Sequence, residues 1–193
     1  NMNIVFTPYG WEHRIRHGRL AMALLRPIHP LHNDIAWMAG WKVIAITLWI
    51  PIAALMVWLF HPTLNPTWYQ VVAFFIAIWG AYLVRTMFQT TMGLITFWTT
   101  RVNAIFELYF AGELLMSGRL VPLSLMPPWV RTLANYFPFQ WTFGFPIEAL
   151  IGNLTPTQLL YGLGAQLFWI VLGVLIVNVF WSFAVKRFTS VGN

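Results

Sequence analysis

The sequence has no cysteine, which excludes a disulfide framework and any thiolate metal or redox centre, so compartment has to be read from topology. Charge is scarce as well. At 8% charged against 59% hydrophobic residues, a chain of 193 residues cannot coat a soluble globule, and it reads as an all-α integral membrane protein forming a single transmembrane domain. Three catalytic signatures are missing: the phosphate-cradling GxxxxGK[ST] stretch, HExxH and GxSxG. Glu107 and Glu113 stand six residues apart and off one helical face, so no close carboxylate pair exists either. These absences count against nucleotide hydrolysis by this chain and against a membrane-embedded enzyme. They leave open a transport subunit or a structural, immunity-type membrane protein. No cleavable signal peptide is recognisable; the chain opens Asn-Met-Asn and passes at once into an Arg-rich segment, and the reading expects further helices to precede it.

What is present is apolar length. Four spans are predicted, at 38–60, 67–98, 102–118 and 162–185, each near the ~20 helical residues that a hydrocarbon core of roughly 30 Å requires. The net charge of +6 does not point to nucleic acid, because the basic residues sort by predicted membrane side. With alternating spans, Arg14, Arg16, Arg19, Arg26, Lys42, Arg101, Lys186 and Arg187 fall in the cytoplasm. Arg119 and Arg131 fall outside, and Arg85 lies within a span.

The stretch from Leu115 to Gly152 is apolar yet not built to cross. Pro122, Pro127, Pro128, Pro138 and Pro146 each remove a backbone donor and disfavour helix in the preceding residue. An external re-entrant hairpin over 120–155 is the economical reading, with one helix over 124–136 and a second over 143–151 broken by Pro146. Trp129, Tyr136, Phe137, Phe139, Trp141, Phe143 and Phe145 are expected to form an aromatic belt at the water boundary. Arg119 and Glu148 either pair across the hairpin or stay solvated. Asn153-Leu-Thr155 is a sequon, a weak one with Pro156 following.

Residues 11–26 are expected to form an amphipathic helix on the cytoplasmic side, with Ile15, Leu20, Ala23 and Leu24 on its apolar face and Pro27 and Pro30 ending it. Two readings stand side by side, an anchor on anionic lipid and a docking element for a cytoplasmic partner. His13 and His17 have an i, i+4 spacing that suits a metal, but Arg14, Arg16 and Arg19 would repel a cation and no third ligand is evident. In the first span, Pro51 is expected to kink the helix. The second, 32 residues and roughly 48 Å as one helix, must tilt, break or project. Arg85, Gln89, Thr86, Thr90, Thr91 and Thr96 turn part of it away from lipid. Counting rises from the 98–101 turn predicts that Arg85 pairs with Glu113, or failing that Glu107. Gly162, Gly164 and Gly173 on the last span permit close helix approach.

Four stretches together carry a family signature: Arg16-His-Gly18 with Leu24-Leu-Arg-Pro27 and Pro30-Leu31; Phe97-Trp-Thr-Thr-Arg101; Ser117-Gly-Arg-Leu-Val-Pro-Leu-Ser124 with Trp129-Val-Arg-Thr132; and Phe145-Pro-Ile-Glu148. The chain resembles the permease subunits of ABC-2-type exporters, in a poorly characterised bacterial branch. The resemblance implies a six-helix permease of which this chain is similar to the last four helices. It also implies a multi-pass location in the bacterial inner (plasma) membrane, a second permease subunit as homo- or heterodimer partner, and separate nucleotide-binding ATPase subunits. This chain would bind no cofactor, with ATP and Mg held by the ATPase. Residues 11–26 would be the coupling helix, with Arg14, Arg16, Arg19, Leu20, Leu24 and Arg26 as its contacts. Arg85, Gln89, Glu107 and Glu113 would be the intramembrane polar residues, and Arg119, Trp129, Arg131, Pro146 and Glu148 would mark the external hairpin. No motif defines the cargo.

Overall fold

Each long helix opens on a residue that can hold its orphan amides. In the computed structural model, which describes residues 7–61, 66–99, 102–151 and 154–187, α3 (Pro30–Phe60) starts on the His29 ring, whose Nδ1 accepts the Leu31 N–H at 3.2 Å. Helix α4 (Trp68–Leu94) starts on a capping box in which Gln70 Oε1 accepts the Thr67 N–H at 2.8 Å. Helix α9 (Pro156–Arg187) follows Thr155, whose N–H donates to Gln158 Oε1 at 2.8 Å. Pro30 and Pro156 occupy first helical positions, where a missing donor costs nothing. Arg101 and Asn153 of the sequon lie outside the described residues.

Helix α4 is the axis. Its N-terminal part, Ala73 and Ala77, packs against Trp141, Phe145, Ala149 and Leu159, while its C-terminal part, Met87 and Leu94, packs against Val177 and Ala184. Helices α4 and α9 therefore run parallel, and theirs is the most extensive contact between elements. Small residues permit it: a Cβ at Gly173 would come within 2.7 Å of Met87 Cβ, and one at Gly162 would collide with the Phe145 ring. Gly164 faces open space and takes no part. Gln166, buried, donates from Nε2 to both Ala77 O (3.0 Å) and Trp141 O (2.8 Å), tying α9 to α4 and to the insert at one point.

Among the described residues, three helices are long and apolar enough to cross a membrane, Pro30–Phe60, Trp68–Phe97 and Pro156–Arg187. Four were expected. The third expected span is α5 (Val102–Met116), whose 15 residues rise only ~22 Å. Past it the chain turns through a 3-10 turn (Leu123–Leu125) into α6 (Pro128–Asn135), α7 (Phe139–Thr142) and α8 (Gly144–Ile151). Glu113 of α5 meets Arg85 midway along α4, and α8 reaches the level of Ala73, so α5 and the insert together cover the length that one helix was expected to cover.

The sequence reading needs correction at three further points. The helix over 11–26 is two, α1 (Pro8–Arg16) and α2 (Arg19–Leu24), because Gly18 takes a left-handed φ of +65° that turns the chain between them. Pro146 does not break α8, since it sits in the first turn; the break is at Phe143, with φ −139° and ψ −57°. The aromatic belt divides, with Trp129 and Tyr136 exposed while Phe139, Trp141 and Phe145 are buried. Pro51 lies inside α3, which continues past it to Phe60.

Candidate functional site

Three polar clusters sit along the bundle, and the first is at its basic end. Trp11 of α1 is fully buried, its Cβ against Gly93 of α4 and its ring 6.0 Å from that of Trp181 on α9. The apolar face expected to meet a lipid or a partner is thus largely spent inside the chain: Leu20 is fully buried, and Ile15, Ala23 and Leu24 pack on the same cluster. Arg14 turns inward as well. Its Nη1 and Nη2 donate to the two carboxylate oxygens of the buried Asp34 at 2.7 and 2.8 Å, a bidentate pair joining α1 to the first turns of α3. Arg16 is ion-paired with Glu12 of its own helix at 3.0 Å. The exposed remainder is a short face on α2 and the turn after it, where Arg19 and Arg26 carry no ion pair among the described residues and stand beside Met22, Leu25 and Ile28, which are 71%, 82% and 57% exposed. A cleft of about 240 Å³ opens there, lined by Arg14, Arg19, Arg26 and Asn33 among others. His13 and His17 lie with ring centroids 4.1 Å apart, and no group of three metal-ligating residues exists among the described residues.

The second cluster is within the bundle. Arg85 Nε lies 2.8 Å from Glu113 Oε1, each side chain 12% exposed, while Glu107 faces outward. The threonines of α4 are buried, and Thr86 and Thr91 return their hydroxyls to Tyr82 O and Met87 O, so this run stabilises itself and presents no polar track. Gln89 is also buried, with its Oε1 accepting no hydrogen bond among the described residues. Lys42, read from the sequence as a residue of the cytoplasmic side, is fully buried, its ammonium 5.2 Å from the ring centroid of Tyr82 and 5.7 Å from that of Trp79, and Tyr82 in turn donates from its hydroxyl to Ile35 O at 2.7 Å. Asp34, Lys42 and Tyr82 were missed as a set. The available signal was an acid and a base eight residues apart on an otherwise apolar helix, a cost in lipid that only a partner helix removes.

The third cluster is a cleft of about 290 Å³ between the insert and the start of α9, lined by Arg131, Asn135, Gln140, Trp141, Glu148 and Gln158 among others. Arg131 is committed to its own loop, donating to Ser124 O at 2.6 Å and Leu123 O at 3.3 Å. Arg119 lies over the Phe143 ring at 6.0 Å, so the Arg119–Glu148 pair does not form, and Glu148 has no ion pair among the described residues. Partial burial in the cleft wall pushes its carboxyl above the usual carboxylate range. Pro146 is buried behind it, and Trp129 is exposed on α6.

Basic residues gather where α1, α2 and the end of α9 meet, and nothing in the three clusters resembles a catalytic constellation. No curated protein and no solved structure matches the chain. Residues 1–192 match the family model of the ABC-2 family transporter proteins, nearly the whole sequence. The chain accordingly belongs to the ABC-2 transporter family, the membrane permeases of ABC transporters.

Proposed function

We propose that this chain is the permease subunit of an ATP-driven exporter in a bacterial inner membrane, forming half of the translocation path with a second permease subunit and drawing on a separate nucleotide-binding ATPase. The insert between α5 and α9 is its external re-entrant hairpin, and α1 and α2 lie in the cytoplasm. One observation carries the reading: at the basic end, the face of Arg19, Met22, Leu25, Arg26 and Ile28 is apolar and cationic, lies outside the three spans, and has no element covering it among the described residues. A chain without a phosphate-binding loop can use ATP only through differential contact with a partner whose state depends on nucleotide. That face suits an apolar groove with an acidic rim.

With Arg14 paired to Asp34 and Leu20 buried, the proposed contact set is Arg19 and Arg26 with their apolar neighbours, which would meet the ATPase. Purifying the full chain with its associated ATPase from native membranes tests this. Arg19→Glu/Arg26→Glu should abolish co-eluting ATP hydrolysis while Arg16→Glu leaves it intact. The lipid-anchor reading, favoured by the same amphipathic face, requires the reverse: ATPase retained, and flotation with anionic liposomes lost. Undiminished ATPase co-elution in the double reversal would remove these arginines from the coupling contact.

A further inference from the structure

At the basic end, beside the packed Leu94 and Ala184, the surface between the turn that follows α4 and the last turns of α9 is left unfilled. Between Ile95 and Trp98 on one side and Val179, Phe180 and Phe183 on the other runs a groove of about 620 Å³, open laterally and ending at Lys186 and Arg187. Every wall residue is apolar. Both end residues are cationic, exposed, and without an ion pair among the described residues. The Lys186 ammonium lies 5.9 Å from the Phe183 ring centroid, and the Arg187 guanidinium the same distance from that of Trp98, so the two charges flank the mouth of the apolar channel. Their place in the last turn of α9 suits the negative end of its dipole.

We propose that this groove binds one anionic phospholipid of the leaflet at the basic end, its acyl chain along Ile95, Val179 and Phe183 and its headgroup phosphate between Lys186 and Arg187. The two halves of the site demand different chemistry within a few ångströms, an apolar body and an anionic head, and a phospholipid carries both. A free anion would leave the apolar walls uncovered. A zwitterionic lipid would fill the groove but place its own cation beside two others. This reading rests on membership of a membrane family and not on the proposed direction of transport.

Native mass spectrometry of the full chain in detergent, titrated with phosphatidylglycerol or with phosphatidylcholine of identical acyl chains, tests it. The expected result is a roughly thirtyfold preference for phosphatidylglycerol, about fivefold from each basic side chain. Lys186→Gln/Arg187→Gln should erase the preference and leave the two lipids equal. Val179→Trp, which fills the groove from an exposed position, should lower retention of both lipids. Arg119→Gln/Arg131→Gln, in the insert, is the control for net charge and should change nothing. Equal binding of both lipids by the native chain would overturn the proposal. So would a preference that survives the double substitution, a loss of equal size in the insert control, or displacement of the lipid by inorganic phosphate, which would reduce the site to an anion site.

Discussion

Helices α3 and α4 are similar in length and apolar character, yet they stand in opposite surroundings. Along the most apolar part of α4, 44% of the residues are buried within the chain; along that of α3, none are. Helix α4 is held by packing, with alanines and glycines letting α9, α8 and α1 approach its backbone. Helix α3 is held at its base, by the Arg14–Asp34 pair, the Tyr82–Ile35 hydrogen bond and Lys42 against two rings. The difference teaches that a membrane helix needs no neighbour to exist, since its backbone is satisfied internally, but needs specific contacts to be placed. Shape complementarity places one and polar tethers place the other.

The largest test of this contrast is on the packed side. Arg85→Met leaves Glu113 buried without its cation, and a loss of about 3–5 kcal/mol is expected in detergent unfolding, with much of it recovered in Arg85→Met/Glu113→Leu. A double variant no better than the single would mean the pair is not a compensated charge. Next, Gly173→Leu should cost about 1–3 kcal/mol by overpacking against Met87, while Gly164→Leu on the same helix should leave the melting temperature unchanged. Equal penalties would show that close approach to Met87 is not what sets the cost at Gly173. On the bare side, Leu48→Ala should stay within about 0.5 kcal/mol of the native chain, since that side chain is 64% exposed. Asp34→Asn should instead broaden spin-label distances between positions 48 and 76, because it loosens a tether without removing packing. A narrow, unshifted distribution would show that α3 is placed by something other than its base.

The smallest expected effect is a pH dependence at the start of α3. Burial, and then neighbouring His32, hold the His29 pKa below the ordinary histidine value. Because the folded value is the lower one, its contribution is fully present above the unfolded pKa of about 6.5 and fades as pH falls through the folded value. Protonation also removes the acceptor of the Leu31 N–H. Stability should therefore decline slightly as pH falls below about 6.5, and His29→Asn, which caps without titrating, should flatten that decline.

The helical class and the long apolar helices were legible because hydrocarbon thickness imposes a length that composition reveals directly. Arg85 with Glu113 was legible for a related reason: fixed rise per residue converts sequence distance into depth. The packing of the insert along α4 was only half legible. Prolines excluded a span over 115–152, but nothing local says that α5 stops at Met116 and that α7 and α8 lie against α4. The inward turn of Arg14 was not legible at all, because its partner lies twenty residues on, beyond a two-proline turn whose geometry decides whether they meet. The break at Gly18 was available in principle, as a glycine inside a helical pattern, and its left-handed φ is what separates the embedded α1 from the outward α2.

The parallel pairing of α4 with α9 also sets a timetable for synthesis. Ala77 and the Gln166 amide that reaches its carbonyl are 89 residues apart, so the second long helix is made, and leaves the ribosome, well before the one that covers it. During that interval Gln89, Thr90 and the alanine face of α4 have no α9 to lie against, and α7 cannot be pinned through Trp141. Helix α4 is thus expected to linger beside the insertion machinery until residues 156–187 arrive, and a chain released before them should be cleared by membrane proteases. Pulse-chase of chains ending at 155 and at 187 would read this as a difference in half-life, and equal half-lives would show that α4 is content without its last neighbour.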